Sequence, residues 1–207
     1  QLGYDIPGLR QWLLELRKTL TALEFVERIA APMAREVGCL WADGALPVFA
    51  EHLFSEELLS VLLHQSETPV DCLRPPRVLL TAPAGEKHCL GLRMAGAVLA
   101  EAGENALYLS SDLPNREIIA AAVHHQVCAV GLTTSLNYPP KLLFSTLQDI
   151  RQELPASVQL WVGGAGACRL PRLPDGTSQV ASMPVLLELL KTLPATCNTA
   201  EREEKAP

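Results

Sequence analysis

Three short segments of this chain hold residue types that can do chemistry together. In Pro83-Ala84-Gly85-Glu86-Lys87-His88-Cys89-Leu90-Gly91, an imidazole stands two residues after a carboxylate. An imidazole can bind a metal through one ring nitrogen while a carboxylate accepts the proton of the other, which orients the ring and raises its basicity. Thr133-Thr134-Ser135 lines up three hydroxyls, and Gly163-Gly164-Ala165-Gly166 is a turn whose bare backbone can lie close to what it meets. Each has a plainer reading. A lone histidine after a strand commonly starts a helix or turn, Thr or Ser there commonly caps a helix, and paired glycines commonly make a tight turn. The conjunction is more informative than any member, provided the fold gathers all three.

The surrounding pattern supplies such a fold. Up to about residue 66 the chain reads helical, with Leu13, Leu16, Leu20, Leu23 and then Val26, Ile29, Met33, Val37, Leu40 at three- and four-residue spacing. Pro32 must kink or restart that stripe, Asp43-Gly44 ends it, and Pro47 opens a further helix to about His64. This predicts a small antiparallel helical bundle over 1–66, followed by an aperiodic linker over 67–76. From 77 to 194 short β-rich runs alternate with helical stretches: strands at 78–80, 106–109, 127–132, 158–162 and about 179–181, helices at about 89–102, 115–126, 140–154 and 183–193. Such alternation means a parallel sheet with right-handed crossovers, a Rossmann-like (flavodoxin-like) α/β domain of five strands. With the common order 2-1-3-4-5, the three segments follow neighbouring strands at the carboxyl edge, where ligands of open parallel sheets bind. Residues 195–207 are expected to be a solvated tail.

Composition narrows the choice. The chain has 207 residues, 48% of them hydrophobic, ample for a packed core, and no apolar run approaches a membrane span. Residues 1–70 carry 5 Lys/Arg against 10 Asp/Glu, and the remainder 12 against 13, so neither part shows the basic stripe of a nucleic-acid surface. The six cysteines stand apart with no CxxC pair, which argues against a disulfide framework or a zinc knuckle and for a reducing cytoplasm. No nucleophile elbow, dinucleotide fingerprint after the first strand or paired metal-ligand spacing is present, so an enzyme is not expected.

A resemblance connects these features. The stretch GEKHCLGLRMAGAVLAEAGENALYLSSDLP resembles the cobalamin (vitamin B12) binding signature of an acidic residue, any residue, His, two residues and Gly. It implies His88 as lower axial ligand of cobalt, Glu86 in place of the usual Asp as its orienting acceptor, and Gly91 as the signature glycine. It further implies Gly163 and Gly164 as the pair that makes room for the nucleotide tail, and Thr133 where a tail-binding Ser is usual. Lys87 and Ser135 join them as expected cofactor contacts. Upstream, EVGCLWADGALPVFAEH resembles the tryptophan, nine residues, Glu-His pattern of the bundle that caps cobalamin in light-responsive, MerR-type (CarH-like) regulators. Trp41, Glu51 and His52 match the residues that cover the upper face and its adenosyl group. One departure stands out: Ala42 occupies the place of a histidine that in light-sensing members takes over that face.

The resemblance implies the cobalamin-binding sensory module of a MerR-type transcriptional regulator, with adenosylcobalamin the expected form. Light or ligand would alter a homo-oligomer and thereby DNA binding, through a DNA-binding domain outside this chain. The alternatives are a corrinoid carrier of a methyl-transfer system, and a cofactor-free interaction domain of the same fold.

Overall fold

The computed structural model describes residues 5–63, 77–109, 111–195 and 197. The linker expected at 67–76 lies outside these, as does the expected tail apart from Ala195 and Cys197.

Local chemistry sets each helix of the amino-terminal part. α1 (Ile6–Thr19) starts where the Asp5 carboxylate accepts the Gly8 N–H at 3.0 Å. α2 (Ala22–Phe25) opens on a capping box: the Glu24 N–H donates to Thr21 Oγ1, and the Glu24 carboxylate accepts the Thr21 N–H, both at 3.1 Å. A π-helical turn, Val26–Ala30, then leads directly into α3 (Ala31–Ala42). That turn is the structural answer to Pro32. A proline lacks the donor and crowds the carbonyl one turn back, and a widened turn immediately before it accommodates both. Gly44, in the left-handed region at φ +72°, reverses the chain toward α4 (Val48–Leu63).

The five strands are β1 (Val78–Thr81), β2 (Ala106–Tyr108), β3 (Ala129–Thr133), β4 (Gln159–Gly163) and β5 (Thr177–Val180). They pair in parallel in the order β2-β1-β3-β4-β5, the common order adopted above for such a sheet. One face is covered by α6 (Asn115–His124) and α7 (Pro140–Glu153), whose Ile118, Leu143, Leu147 and Ile150 pack on Leu79, Val130 and Leu160. The other face carries α5 (Leu90–Glu101) and α8 (Met183–Lys191), packed on Val78, Leu80 and Trp161. The register aligns Thr81 with Leu132 and Thr133 with Gly163, so β1, β3 and β4 end level and their following loops lie side by side.

The bundle is fastened to the sheet domain through α5. Met94, Ala97 and Val98 share one apolar core with Leu13, Phe25, Phe54 and Leu58. At the far end of α5, Glu101 Oε2 accepts the Ala22 N–H at 2.5 Å and an Arg17 N–H at 3.1 Å. Arg17 is only 8% exposed and also donates to the Leu20 carbonyl at 2.7 Å.

One expectation from the cysteines needs correction. Cys128 and Cys197 form a disulfide, with their Cα atoms 5.1 Å apart across 69 residues of sequence. Cys128 immediately precedes β3, and Cys197 follows α8, whose end returns to the same edge of the sheet. Topology brings them together, and spacing along the chain carries no trace of it.

The Glu101 contact is expected to contribute measurably. Glu101→Ala leaves a buried guanidinium and a helix-start N–H without their acceptor, and should cost about 1–3 kcal/mol. Urea denaturation should show a lowered midpoint with an unchanged slope.

Candidate functional site

The loop after β1 is built around a buried carboxylate. Glu86 is 2% exposed; its Oε1 accepts the His88 backbone N–H at 2.9 Å and lies 2.6 Å from His88 Nδ1. Its Oε2 accepts the Ser135 N–H at 2.6 Å, which ties the loop after β1 to the loop after β3. The loop's shape is held by the Gly85 N–H donating to Asp112 Oδ1 at 2.7 Å and the Tyr138 hydroxyl donating to the Ala84 carbonyl at 3.1 Å. Burial pushes the Glu86 carboxyl toward its neutral form. The N–H donors of Ser135 and His88 and the His88 ring outweigh that, and hold it below its ordinary 4.5.

His88 itself is 63% exposed. With Nδ1 directed to the Glu86 carboxylate, Nε2 is the nitrogen left to meet a ligand, the arrangement in which a metal-binding histidine is oriented by a neighbouring acid. Gly91 follows in the first turn of α5, and a side-chain carbon there would stand 3.2 Å from Thr133 Oγ1. Lys87 is exposed beside His88.

The loops after β3 and β4 are in direct contact. The Thr134 N–H donates to the Gly163 carbonyl at 3.1 Å, and the Thr134 carbonyl accepts the Gly166 N–H at 3.0 Å. Gly164 has φ +85°, and a side chain on it would run into Thr133 Oγ1, 2.8 Å away, and into the Thr134 backbone. Gly163 faces the Val180 carbonyl, 3.3 Å from where a side-chain carbon would be. The glycines thus allow neighbouring chain segments to come close. The oxygens Thr134 Oγ1 and Ser135 Oγ are buried without an aligned hydrogen-bond partner, although Ser135 stands near enough to Glu86 to favour its charge. Orphaned hydroxyls of this kind call for a ligand or water.

In the bundle, Trp41 ends α3 and is 42% exposed. Glu51 and His52 lie in the first turns of α4, paired through Oε2 and Nδ1 at 2.8 Å, with Glu51 Oε1 accepting the Ser55 hydroxyl at 2.7 Å. His52 is 71% exposed. Around them Leu40, Val48, Phe49 and Leu53 are also substantially exposed, so the α3–α4 turn presents an apolar surface flanked by the Glu51–His52 contact. The bundle reaches the His88 loop's side of the sheet domain, since Leu90, two residues after His88, packs on the bundle core.

Fold and register therefore bring Glu86, His88, Gly91, Thr133, Ser135, Gly163 and Gly164 to one edge, while Trp41, Glu51 and His52 group separately on the bundle tip. The sequence places Thr134 in the hydroxyl cluster without assigning it a contact, and it does not single out the exposed apolar residues around Trp41. A cavity of about 560 Å³ lined by Arg151, Gln159, Gly176 and Thr177 lies at the opposite edge of the sheet. There Arg151 is occupied in bonding the carbonyls of Val158, Leu154 and Pro155, a fastening of the α7–β4 loop.

The HTH-type transcriptional repressor CarH of Myxococcus xanthus is 31% identical over 168 residues, 80% of this chain and 55% of that protein. CarA, a repressor of the same organism, is 32% identical over 141 residues, 66% of this chain and 45% of that protein. The chain thus spans about half the length of these curated relatives. Among solved structures, the monomethylamine corrinoid protein of Methanosarcina barkeri has the same fold, with a TM-score of 0.62 over 88% of this chain and 95% of its own at 17% identity. No protein-family model matches.

Removing the central carboxylate tests this geometry directly. Glu86→Ala strands two backbone N–H groups in a buried loop and is expected to cost about 1–3 kcal/mol. Because the folded-state value is lowered, the stabilisation by Glu86 is complete above its ordinary 4.5 and is lost as pH falls through the lower folded value. Thermal unfolding of wild type and Glu86→Gln should accordingly differ most near neutrality and converge as pH falls through that lower value.

Proposed function

The chain is homologous to the repressors CarH and CarA, and on that premise we propose that it is a cobalamin-binding sensory module of a MerR-type regulator. The observation that carries this reading is His88: an exposed imidazole whose Nδ1 is engaged by a buried, charge-favoured carboxylate. The residues present fit a corrinoid. Nε2 of His88 is available as a lower axial ligand, and the orphaned hydroxyls of Thr134 and Ser135 await partners in the adjoining loop. The exposed apolar tip around Trp41 suits the covering of an upper ligand. When bound, cobalamin supplies a cobalt–carbon bond weak enough to be broken by light.

The residues divide the work. Glu86 holds the proton on Nδ1 and keeps His88 in one orientation, and the Ser135 N–H keeps Glu86 in place. Thr133, Gly163, Gly164 and Gly91 shape the edge beside the imidazole, and Lys87 flanks it. On the bundle, Trp41 excludes water, while the Glu51–His52 pair offers an acceptor and a donor to a polar upper group such as an adenosyl. Residues 1–66 act as the lid and residues 77–194 as the cofactor half. The role is binding and signalling rather than catalysis. Loss of upper-face contacts would shift a homo-oligomeric interface, and DNA would be engaged through a domain outside this chain. No helix of the described residues is long and apolar enough to cross a membrane.

Incubation with adenosylcobalamin in the dark, followed by gel filtration, is expected to give a coloured protein with the spectrum of a cobalamin bound through a protein imidazole. His88→Ala should lose the colour or retain a spectrum with the cofactor's own base on cobalt. Colourless wild-type protein after incubation with several cobalamins would falsify the cofactor reading and favour a cofactor-free interaction domain.

With Ala42 beside Trp41, no second imidazole is available at that position. Illumination of the loaded protein should therefore leave a spectrum with one protein imidazole on cobalt. A two-imidazole spectrum that vanishes in His52→Ala would instead assign the upper face to His52.

A further inference from the structure

Cys128 and Cys197 form the one disulfide among the described residues, while Cys39, Cys89 and Cys168 are free thiols. A disulfide framework pairs its cysteines throughout, so a single bridge beside three free thiols is not one. The two bridged sulfurs differ in access. Cys128 is 2% exposed and packs in the core with Ala129, Leu190 and Leu193, whereas Cys197 is partly exposed. An attacking thiolate therefore reaches Cys197, and Cys128 is the sulfur that leaves. The sheet does not need the bridge. As a thiol, Cys128 is still a small apolar residue in its place, and Val78, Leu80, Leu99 and Trp161 are buried around the same core. What the bridge holds is the end of α8 and the chain after it. There the other fastenings are Leu190 and Leu193 in the core, Gln159 Nε2 donating to Thr192 Oγ1 at 3.2 Å, and Arg77 donating to the Pro194 carbonyl at 3.1 Å.

We propose that the Cys128–Cys197 bridge is a reversible redox latch on the end of α8, opened and closed by exchange with a small thiol and its disulfide. Opening takes two steps. A thiolate attacks Cys197 Sγ, the bond to Cys128 breaks, and Cys128 leaves with the bonding pair and takes up a proton. A second thiolate attacks the small-molecule sulfur of that mixed disulfide, and Cys197 leaves and is protonated in turn. Two electrons pass from two small thiols, which become one disulfide, to the bridge, which becomes two thiols. Closing is the reverse. Both states are folded. The closed one ties the end of α8 to the start of β3; the open one leaves it to two apolar side chains and two hydrogen bonds. α8 matters beyond its own end, since Met183 and Leu187 pack on the sheet core and the bundle core alike.

The purified chain, equilibrated in buffers running from reduced to oxidised glutathione, then alkylated and mapped by mass spectrometry, tests this. A peptide pair joined through Cys128 and Cys197 should appear as the oxidised fraction rises and vanish as it falls, while circular dichroism stays that of the folded protein. The bridged form should melt about 5 °C or more above the reduced one, because closing 69 residues restricts the unfolded chain. Cys197→Ser should melt like reduced wild type and lose the redox dependence. Amide exchange should quicken on reduction over residues 186–193 and stay slow in β1, β3 and β4. Absence of the bridged pair at every glutathione ratio overturns the latch, as does an equal melting temperature for the two forms. A bridge that resists reduction until the protein unfolds, or a Cys197→Ser chain that cannot fold, overturns it too, since either makes the bridge a permanent staple. So does loss of exchange protection throughout the sheet on reduction. None of these outcomes touches the corrinoid reading.

Discussion

Burying a carboxylate is costly unless its oxygens are met, and at Glu86 they are met by two backbone N–H groups and an imidazole drawn from two loops. The upper edge of the sheet depends on that arrangement. It fixes where the chain goes after β1, which way the His88 ring turns, and how far the loop after β3 stands from it. The loop after β4 is then positioned in turn, because Thr134 bonds both Gly163 and Gly166. A chain of contacts thus runs from the imidazole through the buried Glu86 carboxylate and the backbone of Ser135 and Thr134 to the glycine turn.

The bundle is held on a different principle. Its attachment is mostly apolar, through α5, with the Arg17–Glu101–Ala22 contact closing one end. α5 therefore serves two cores at once, packing Leu92 and Leu99 on the sheet while Met94, Ala97 and Val98 face the bundle. The same helix begins two residues after His88. The helix that carries the bundle thus starts beside the imidazole.

Much of this was legible in the sequence because it is periodic or local. The strand–helix alternation yielded the sheet and its order, and Glu86-Lys87-His88 was recognisable because the two side chains are neighbours in sequence as well as in space. Other features are long-range. The Ser135 N–H that anchors Glu86 is 49 residues away, and the Cys128–Cys197 bridge spans 69. Neither leaves a spacing signature. Pro32 announced a disturbance, but a kink, a restart and a π turn all answer the same steric demand, and only the backbone distinguishes them. The glycines after β4 were read as room for a ligand. In the fold they also admit the loop after β3, a close approach that residue type alone cannot apportion between protein and ligand.

The distribution of burial within the bundle bears on how the proposed sensor would work. α4 is anchored by Phe54, Leu58, Val61 and Leu62, whereas α3 has no fully buried residue at all. Segments with few buried contacts open at lower free energy than the core they sit on. A carrier that must clear its cofactor for partner enzymes would have to strip the bundle from α5 and expose the shared core. A sensor needs less: a change over the upper face has only to move the α3–α4 tip that bears Trp41, leaving α4 docked. In the proposed sensor, that less buried tip on a firmly packed helix is where a two-state element would sit, since a ligand shifts an equilibrium only by its differential contacts with the two states. That difference in grip is what the proposed sensor would draw on.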